Sequence, residues 1–150
     1  MTIHLGSDHA GFAAKERTKR WLLAKGHRVV DFGNEKLEPL DDYPDYALPL
    51  ARAVAKKKAR GILFCANGVG VCMVANRVRR IRAGIAWSVH AAKTSRADDN
   101  TNILCVPTRI RTIDPPEKII AAWLQTKFSG AARHKRRLKK VGLLDNIRAT

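Results

Sequence analysis

Between Gly61 and Asn76 the chain reads GILFCANGVGVCMVAN: a short apolar run, a cysteine, a glycine-bearing turn, then Val71, Val74 and Ala75 at helical spacing. That pattern is strand, tight turn and helix in one step. Gly68 and Gly70 let the backbone come close to a ligand, and the first N–H groups of the following helix have no partner within it, so the turn suits an anion. Cys65 ends the strand against those donors and the positive end of the helix, where a thiol is expected to ionise easily.

The rest of the chain alternates in the same way. Ile3-His4-Leu5-Gly6 reads as a strand, followed by Ser7-Asp8-His9-Ala10-Gly11 and a helix from Phe12 to Lys25, with Trp21, Leu22 and Leu23 on its buried side and Gly26 as its stop. Arg28 to Phe32 is a second strand, and residues 33–46 form a long, acidic, Pro-containing connection of the kind that usually carries a task, leading into a helix over Ala47 to Lys57. After the opening unit come a strand from Ile81 to Trp87, a short helix from Ala91 to Ala97, a strand from Asn102 to Val106 and a helix from Pro115 to Phe128. Ser129-Gly130 break the chain before a last helix over about 132–144. Strands separated by helices imply right-handed crossovers, hence a three-layer α/β/α sandwich around a five-stranded parallel, Rossmann-like sheet, with an extra C-terminal helix. Ligands of such sheets sit beyond the carboxyl ends of the strands where the strand order reverses, so the loops Ser7-Asp8-His9 and Cys65-Ala66-Asn67 are the natural pair of site loops.

One domain is expected over residues 1–150, with 45% hydrophobic and 28% charged residues. No basic-then-apolar leader and no apolar run near the roughly 18 residues of a membrane span are present, so a cytoplasmic protein is expected. Cys65, Cys72 and Cys105 form no CxxC pair, which argues for free thiols and against structural zinc. The net charge of +16 raises nucleic acid as a partner, yet the basic run Arg133 to Lys140 carries no aromatic interleaving, so nucleic-acid binding is not the expected role.

Gly6 and Gly11 have P-loop spacing, but Phe12-Ala13 stands where Lys-Ser/Thr is needed, and Met73 fills the third glycine position of a dinucleotide fingerprint beginning at Gly68. His9 beside Asp8 is readable either as a helix-capping pair or as an imidazole oriented toward a ligand. Arg133 and Arg137 share one helix face by their four-residue spacing.

Gly6-Ser7-Asp8-His9-Ala10-Gly11-Phe12, Asp42-Tyr43-Pro44-Asp45-Tyr46, Cys65 with Asn67-Gly68-Val69-Gly70 and Ala75-Asn76, Ser95-Arg96 with Thr101-Asn102, and Arg133-His134 with Arg137 fall in order along nearly the whole chain. This set resembles the type B ribose-5-phosphate isomerases, in the family that includes allose- and galactose-6-phosphate isomerases. The resemblance implies an aldose–ketose isomerase acting on a phosphorylated sugar through a cis-enediolate, with neither metal nor cofactor. It also implies a homodimer or dimer of dimers whose sites are shared between subunits, the terminal helix packing on the partner.

By the same resemblance Cys65 is the base and the N–H groups of Ala66, Asn67, Gly68, Val69 and Gly70 are the anion hole. His9, Arg109, Arg133 and Arg137 hold the phosphate. Asp8 supports His9 and meets sugar hydroxyls, and Tyr43, Asp99 and Asn100 stand at substrate-binding positions. The chain departs from the family pattern in three places. Asn67 replaces a hydroxyl residue that relays protons, Asp98-Asp99 stand where a His-Asn pair is associated with opening the furanose ring, and Pro107-Thr108 precede Arg109 in place of a Gly-containing turn. Asp98 is then the substitute ring-opening base, His90 approaches from along the helix, or the substrate is another phosphorylated aldose, such as a tetrose 4-phosphate that closes no such ring. A catalytically weak sugar-phosphate or polyanion-binding protein is the reading from another class.

Overall fold

The computed structural model describes residues 1–57 and 59–147; residues 58 and 148–150 of the single domain expected from sequence lie outside the described residues. Strands β1 (Thr2–Ser7), β2 (Arg28–Asp31), β3 (Arg60–Cys65), β4 (Ala83–Ile85) and β5 (Ile103–Pro107) alternate with helices α1 (Phe12–Ala24), α2 (Pro44–Lys57), α3 (Val69–Ala75), α4 (Val89–Ala97) and α5 (Pro116–Gln125), and α6 (Ala132–Ile147) follows. The strands form one sheet in the order β2-β1-β3-β5-β4, every pair parallel. The α/β sandwich read from the sequence is therefore the observed architecture. Among the described residues no helix is long and apolar enough to cross a membrane.

Burial explains why the central strands read as unbroken apolar runs: a parallel sheet is covered on both faces. On one face Ile3, Leu5, Ile62, Phe64, Leu104 and Val106 pack under α1, α4 and α5, with Trp123 fully buried and its indole N–H on Thr101 Oγ1 at 2.9 Å. On the other, Leu63, Ile103 and Cys105 pack under α2 and α3. Each such side chain contributes about 1.5–3 kcal/mol relative to exposure.

The strand expected over 81–87 is confined to Ala83–Ile85 and the helix expected to reach Phe128 ends at Gln125; at α2 and α1 the departures from the sequence expectation have physical reasons. Helix α2 begins at Pro44, because proline at the first position and Asp45 in the first turn satisfy the N-terminal preferences. On α1, Leu22 is buried but Leu23 is exposed. The buried face instead takes Lys15, whose side chain is 0% exposed and whose ammonium donates to Asp31 Oδ2 at 2.7 Å, Glu16 Oε1 at 2.7 Å and Asn34 O at 2.9 Å. A buried ammonium with all three protons placed fastens α1 to β2 and to the connection after it.

Candidate active site

The strand order reverses between β1 and β3, and the carboxyl ends of these two strands carry the two loops singled out in the sequence. Ser7 pairs with Phe64, so Asp8 and Cys65 leave the sheet side by side. The Cys65 thiol donates to Asp8 Oδ2 at 3.0 Å, and the two residues are only 6% and 5% exposed. The other carboxylate oxygen of Asp8 accepts the N–H of Gly11 at 3.0 Å. Gly11 is the N-cap of α1, so the positive end of that helix faces the carboxylate.

The thiol is not easily ionised in this resting state. Burial, and then the hydrogen bond and charge of Asp8, push the Cys65 thiol up to about 11 against the opposing N–H groups of Ala66 and Gly68. Those two donors point at the sulfur as the sequence implied, but they are outweighed. The pair is thus a protonated thiol hydrogen-bonded to a carboxylate oxygen.

The turn that follows is built by Gly68, whose φ of +76° lies in the left-handed region glycine occupies without strain. Asn67 is exposed, and its Oδ1 accepts the Val69 N–H at 2.9 Å. Val69 is therefore spoken for among the five donors assigned to the anion hole, while Asn67 spends its carbonyl on the turn. A Cβ on Gly70 would lie 2.7 Å from Tyr43 Cζ, which puts the Tyr43 ring directly against the turn.

His9 is oriented by Asp41, not by Asp8. Asp41 Oδ1 accepts both the His9 backbone N–H at 2.9 Å and, at 2.8 Å, the ring Nδ1, leaving Nε2 to face outward. Asp41 Oδ2 lies 3.4 Å from the Asn34 amide, which also donates to Tyr46 OH at 2.5 Å. The long acidic connection has its task here: it folds back to hold His9. On the far side, Arg109 is placed by its backbone N–H on Ala66 O at 2.9 Å. Thr108 Oγ1 ties the loops together, donating to Ala10 O at 2.8 Å and Cys65 O at 3.1 Å.

The remaining sequence-assigned residues lie elsewhere. Asp98 is the C-cap of α4 and Asp99 and Asn100 follow it; α4 runs back from the carboxyl edge, so all three sit at the amino edge of the sheet. Arg133 and Arg137 begin α6 beside them, Ser129 N–H bonding Ala97 O at 2.9 Å. About 17 Å of strand separates that edge from Cys65. Asn100 Oδ1 is occupied by Arg96 Nη1 at 2.6 Å. Asp98, half exposed, faces the buried His134: Nδ1 is 3.5 Å from Asp98 Oδ1 and 2.9 Å from Ser129 Oγ. Arg133 Nε donates to His134 Nε2 at 3.1 Å, which fixes the ring proton on Nδ1. His90, exposed in the first turn of α4, is at the other end of that helix from Asp98.

The family model described as Ribose/Galactose Isomerase matches residues 3–141. The chain belongs to this family. A probable ribose-5-phosphate isomerase B of Mycoplasma pneumoniae is 39% identical over 93% of this chain and 91% of that protein. The structure is similar to ribose-5-phosphate isomerase B of Clostridium thermocellum, with TM-score 0.92, 36% identity and coverage of 97% and 98% of the two chains. It is also similar to the Mycoplasma genitalium ribose-5-phosphate isomerase B bound to ribulose-5-phosphate, with TM-score 0.91, 37% identity and coverage of 97% and 96%.

Within this member of the ribose/galactose isomerase family, the functional residue that sequence reasoning missed is Asp41. Its signal was the acidic character of residues 33–46, but nothing local pairs it with a histidine 32 positions earlier.

Proposed function

We propose that the chain interconverts ribose 5-phosphate and ribulose 5-phosphate, with the Cys65–Asp8 pair moving the proton. The observation that carries this reading is the buried thiol on a carboxylate, beside a turn of N–H donors, in a chain of this family. Asp8 takes the thiol proton as the substrate carbon approaches, and the thiolate abstracts the C2 proton, giving a cis-enediolate. Those N–H groups of the Ala66–Gly70 turn that are turned neither to the sulfur nor to Asn67 Oδ1 stabilise the oxygen that becomes negative. The proton held by Cys65 then goes to C1 while the O2 hydroxyl proton passes to O1, and Asp8 returns its proton to the thiolate. The test is turnover over a panel: kcat/KM is highest for ribose 5-phosphate, and no turnover on it, or a higher value for a tetrose 4-phosphate, allose 6-phosphate or galactose 6-phosphate, overturns the assignment.

His9 and Arg109 form the phosphate-binding half at the Cys65 edge. Arg133 and Arg137, with Asp98 and Asp99, form the half at the opposite edge, and a homodimer places one chain's amino-edge half over its partner's Cys65. Asp98, 3.5 Å from His134 Nδ1, takes the ring-opening role. A mixture of the Cys65→Ala and Arg137→Ala variants then regains activity by subunit exchange, up to about a quarter of the sites for random pairing of two inactive chains in a twofold dimer. Failure of exchanged mixtures to regain any turnover contradicts shared sites.

Asp41 acts through His9. Asp41→Ala frees the imidazole and should raise KM for ribose 5-phosphate about tenfold, roughly 1.4 kcal/mol of binding, with a smaller change in kcat. An unchanged KM removes Asp41 from the binding machinery.

A further inference from the structure

At the amino edge of the sheet, beneath the starts of β3 and β5, a cavity of about 290 Å³ is lined by Arg60, Arg80, Arg82 and Arg96 together with Asn100 and Asn102. Three of these guanidiniums are fixed in place. Arg60 Nη1 donates to Trp123 O at 3.4 Å and Leu124 O at 2.5 Å. Arg82 Nε and Nη2 donate to Asn100 O at 3.0 and 2.9 Å. Arg96 Nη1 donates to Thr101 O at 2.6 Å as well as to Asn100 Oδ1.

Every one of those acceptors is a neutral carbonyl, and no Asp or Glu is among the residues lining the cavity. Among the described residues, the carboxylate seen to bear on it is Asp145 of α6, whose Oδ2 accepts the Arg80 backbone N–H at 3.2 Å and whose charge acts on Arg82. The cations therefore face each other largely uncompensated. Burial, followed by the charges of Arg60 and Arg82, pushes the Arg96 guanidinium down to about 10. Its Nε–H is buried without a hydrogen-bond partner among the described residues.

Arg80 adds backbone strain, standing at φ +68°, a left-handed conformation that glycine adopts freely and a long side chain does not. Strain of this kind persists where the surroundings hold it in place. Guanidinium forks match phosphate oxygens in bidentate pairs, and several of them around a small concavity favour an anion of more than one charge.

We propose that this cavity is a binding site for a small polyvalent phosphate anion, carrying two linked phosphate groups, on the opposite edge of the sheet from Cys65. None of its four arginines is assigned to the isomerase reaction, although Asn100 of the lining stands at one of the positions that the family resemblance gives to substrate.

The test is a calorimetric titration of the full-length protein with sodium pyrophosphate, alone and with ribose 5-phosphate present at saturation. Pyrophosphate binds the wild type under both conditions, and Arg80→Gly weakens it at least about tenfold, as does Arg60→Gln. Arg80→Gly suits the left-handed backbone, so its melting temperature does not fall, and its isomerase kcat/KM stays within about twofold of wild type. Three results overturn the proposal: no pyrophosphate binding to wild type, equal affinity in wild type and Arg80→Gly, or binding abolished by ribose 5-phosphate, which places the anion in the substrate site.

Discussion

Asp8→Asn should lower kcat for ribose 5-phosphate isomerisation by about 10²-fold or more, the range of a lost proton-transfer partner, although it makes the Cys65 thiol easier to ionise. The two effects have opposite signs. Burial is the first cause that raises the thiol to about 11, and the hydrogen bond and charge of Asp8 are the next two. Asparagine removes both Asp8 contributions, so the thiol falls back toward its ordinary range and more thiolate exists at any neutral pH. If thiolate concentration alone governed the reaction, the variant would be faster than wild type near neutrality. With Asp8 as acceptor of the thiol proton, the variant is slower, and its residual rate climbs as pH rises through the thiol's new, lower pKa. The amide keeps an oxygen for the Gly11 N–H, so the loop retains its anchor. A rate equal to or above wild type at neutral pH removes Asp8 from the proton path.

Gly11→Ala should cost roughly 1–3 kcal/mol, as overpacking does in a filled interior. In a chain of this length that lowers the melting temperature by about 2–12 °C. The backbone at Gly11, φ −95° and ψ −8°, is open to alanine, so conformation is not the obstacle. Space is: an added Cβ would lie 2.5 Å from Phe64 Cβ and 2.6 Å from the Phe64 carbonyl carbon and oxygen. Those atoms belong to a central strand and cannot turn aside. Relief comes only by lifting the Asp8–Gly11 loop off β3, which draws Asp8 away from Cys65, so activity falls further than stability. A variant with wild-type melting temperature and turnover contradicts this packing.

The sheet was legible because Ile62-Leu63-Phe64 and Ile103 to Val106 are continuous apolar runs, as two-sided burial demands, and because Gly26 and the Gly68 turn mark where elements end. The limits of legibility follow from contacts across the chain. Local sequence shows the N–H groups of Ala66 and Gly68 near Cys65, and both do favour the thiolate. It does not show that Asp8, 57 residues earlier, arrives 3.0 Å from the sulfur and reverses the balance. The same holds for His9, where adjacency suggested Asp8 and folding supplied Asp41. Lys15 reads as a polar helix residue, and becomes buried only because Asp31 of β2 and the connection after it close over its ammonium. The family resemblance lent Arg133 and Arg137 to the partner's site, and strand and helix direction put them, with Asp98, Asp99 and Asn100, at the opposite edge of the sheet from the same chain's Cys65.

The most direct measurement is the rate at which the purified protein forms ribulose 5-phosphate from ribose 5-phosphate, wild type and Cys65→Ala side by side, with melting temperatures recorded for both. The account predicts turnover by the wild type and a loss of about 10²–10⁴-fold in Cys65→Ala, the range expected when a positioned base is removed, with the variant still folded. A wild type that forms no ribulose 5-phosphate, or a Cys65→Ala variant that forms it at the wild-type rate, would contradict it.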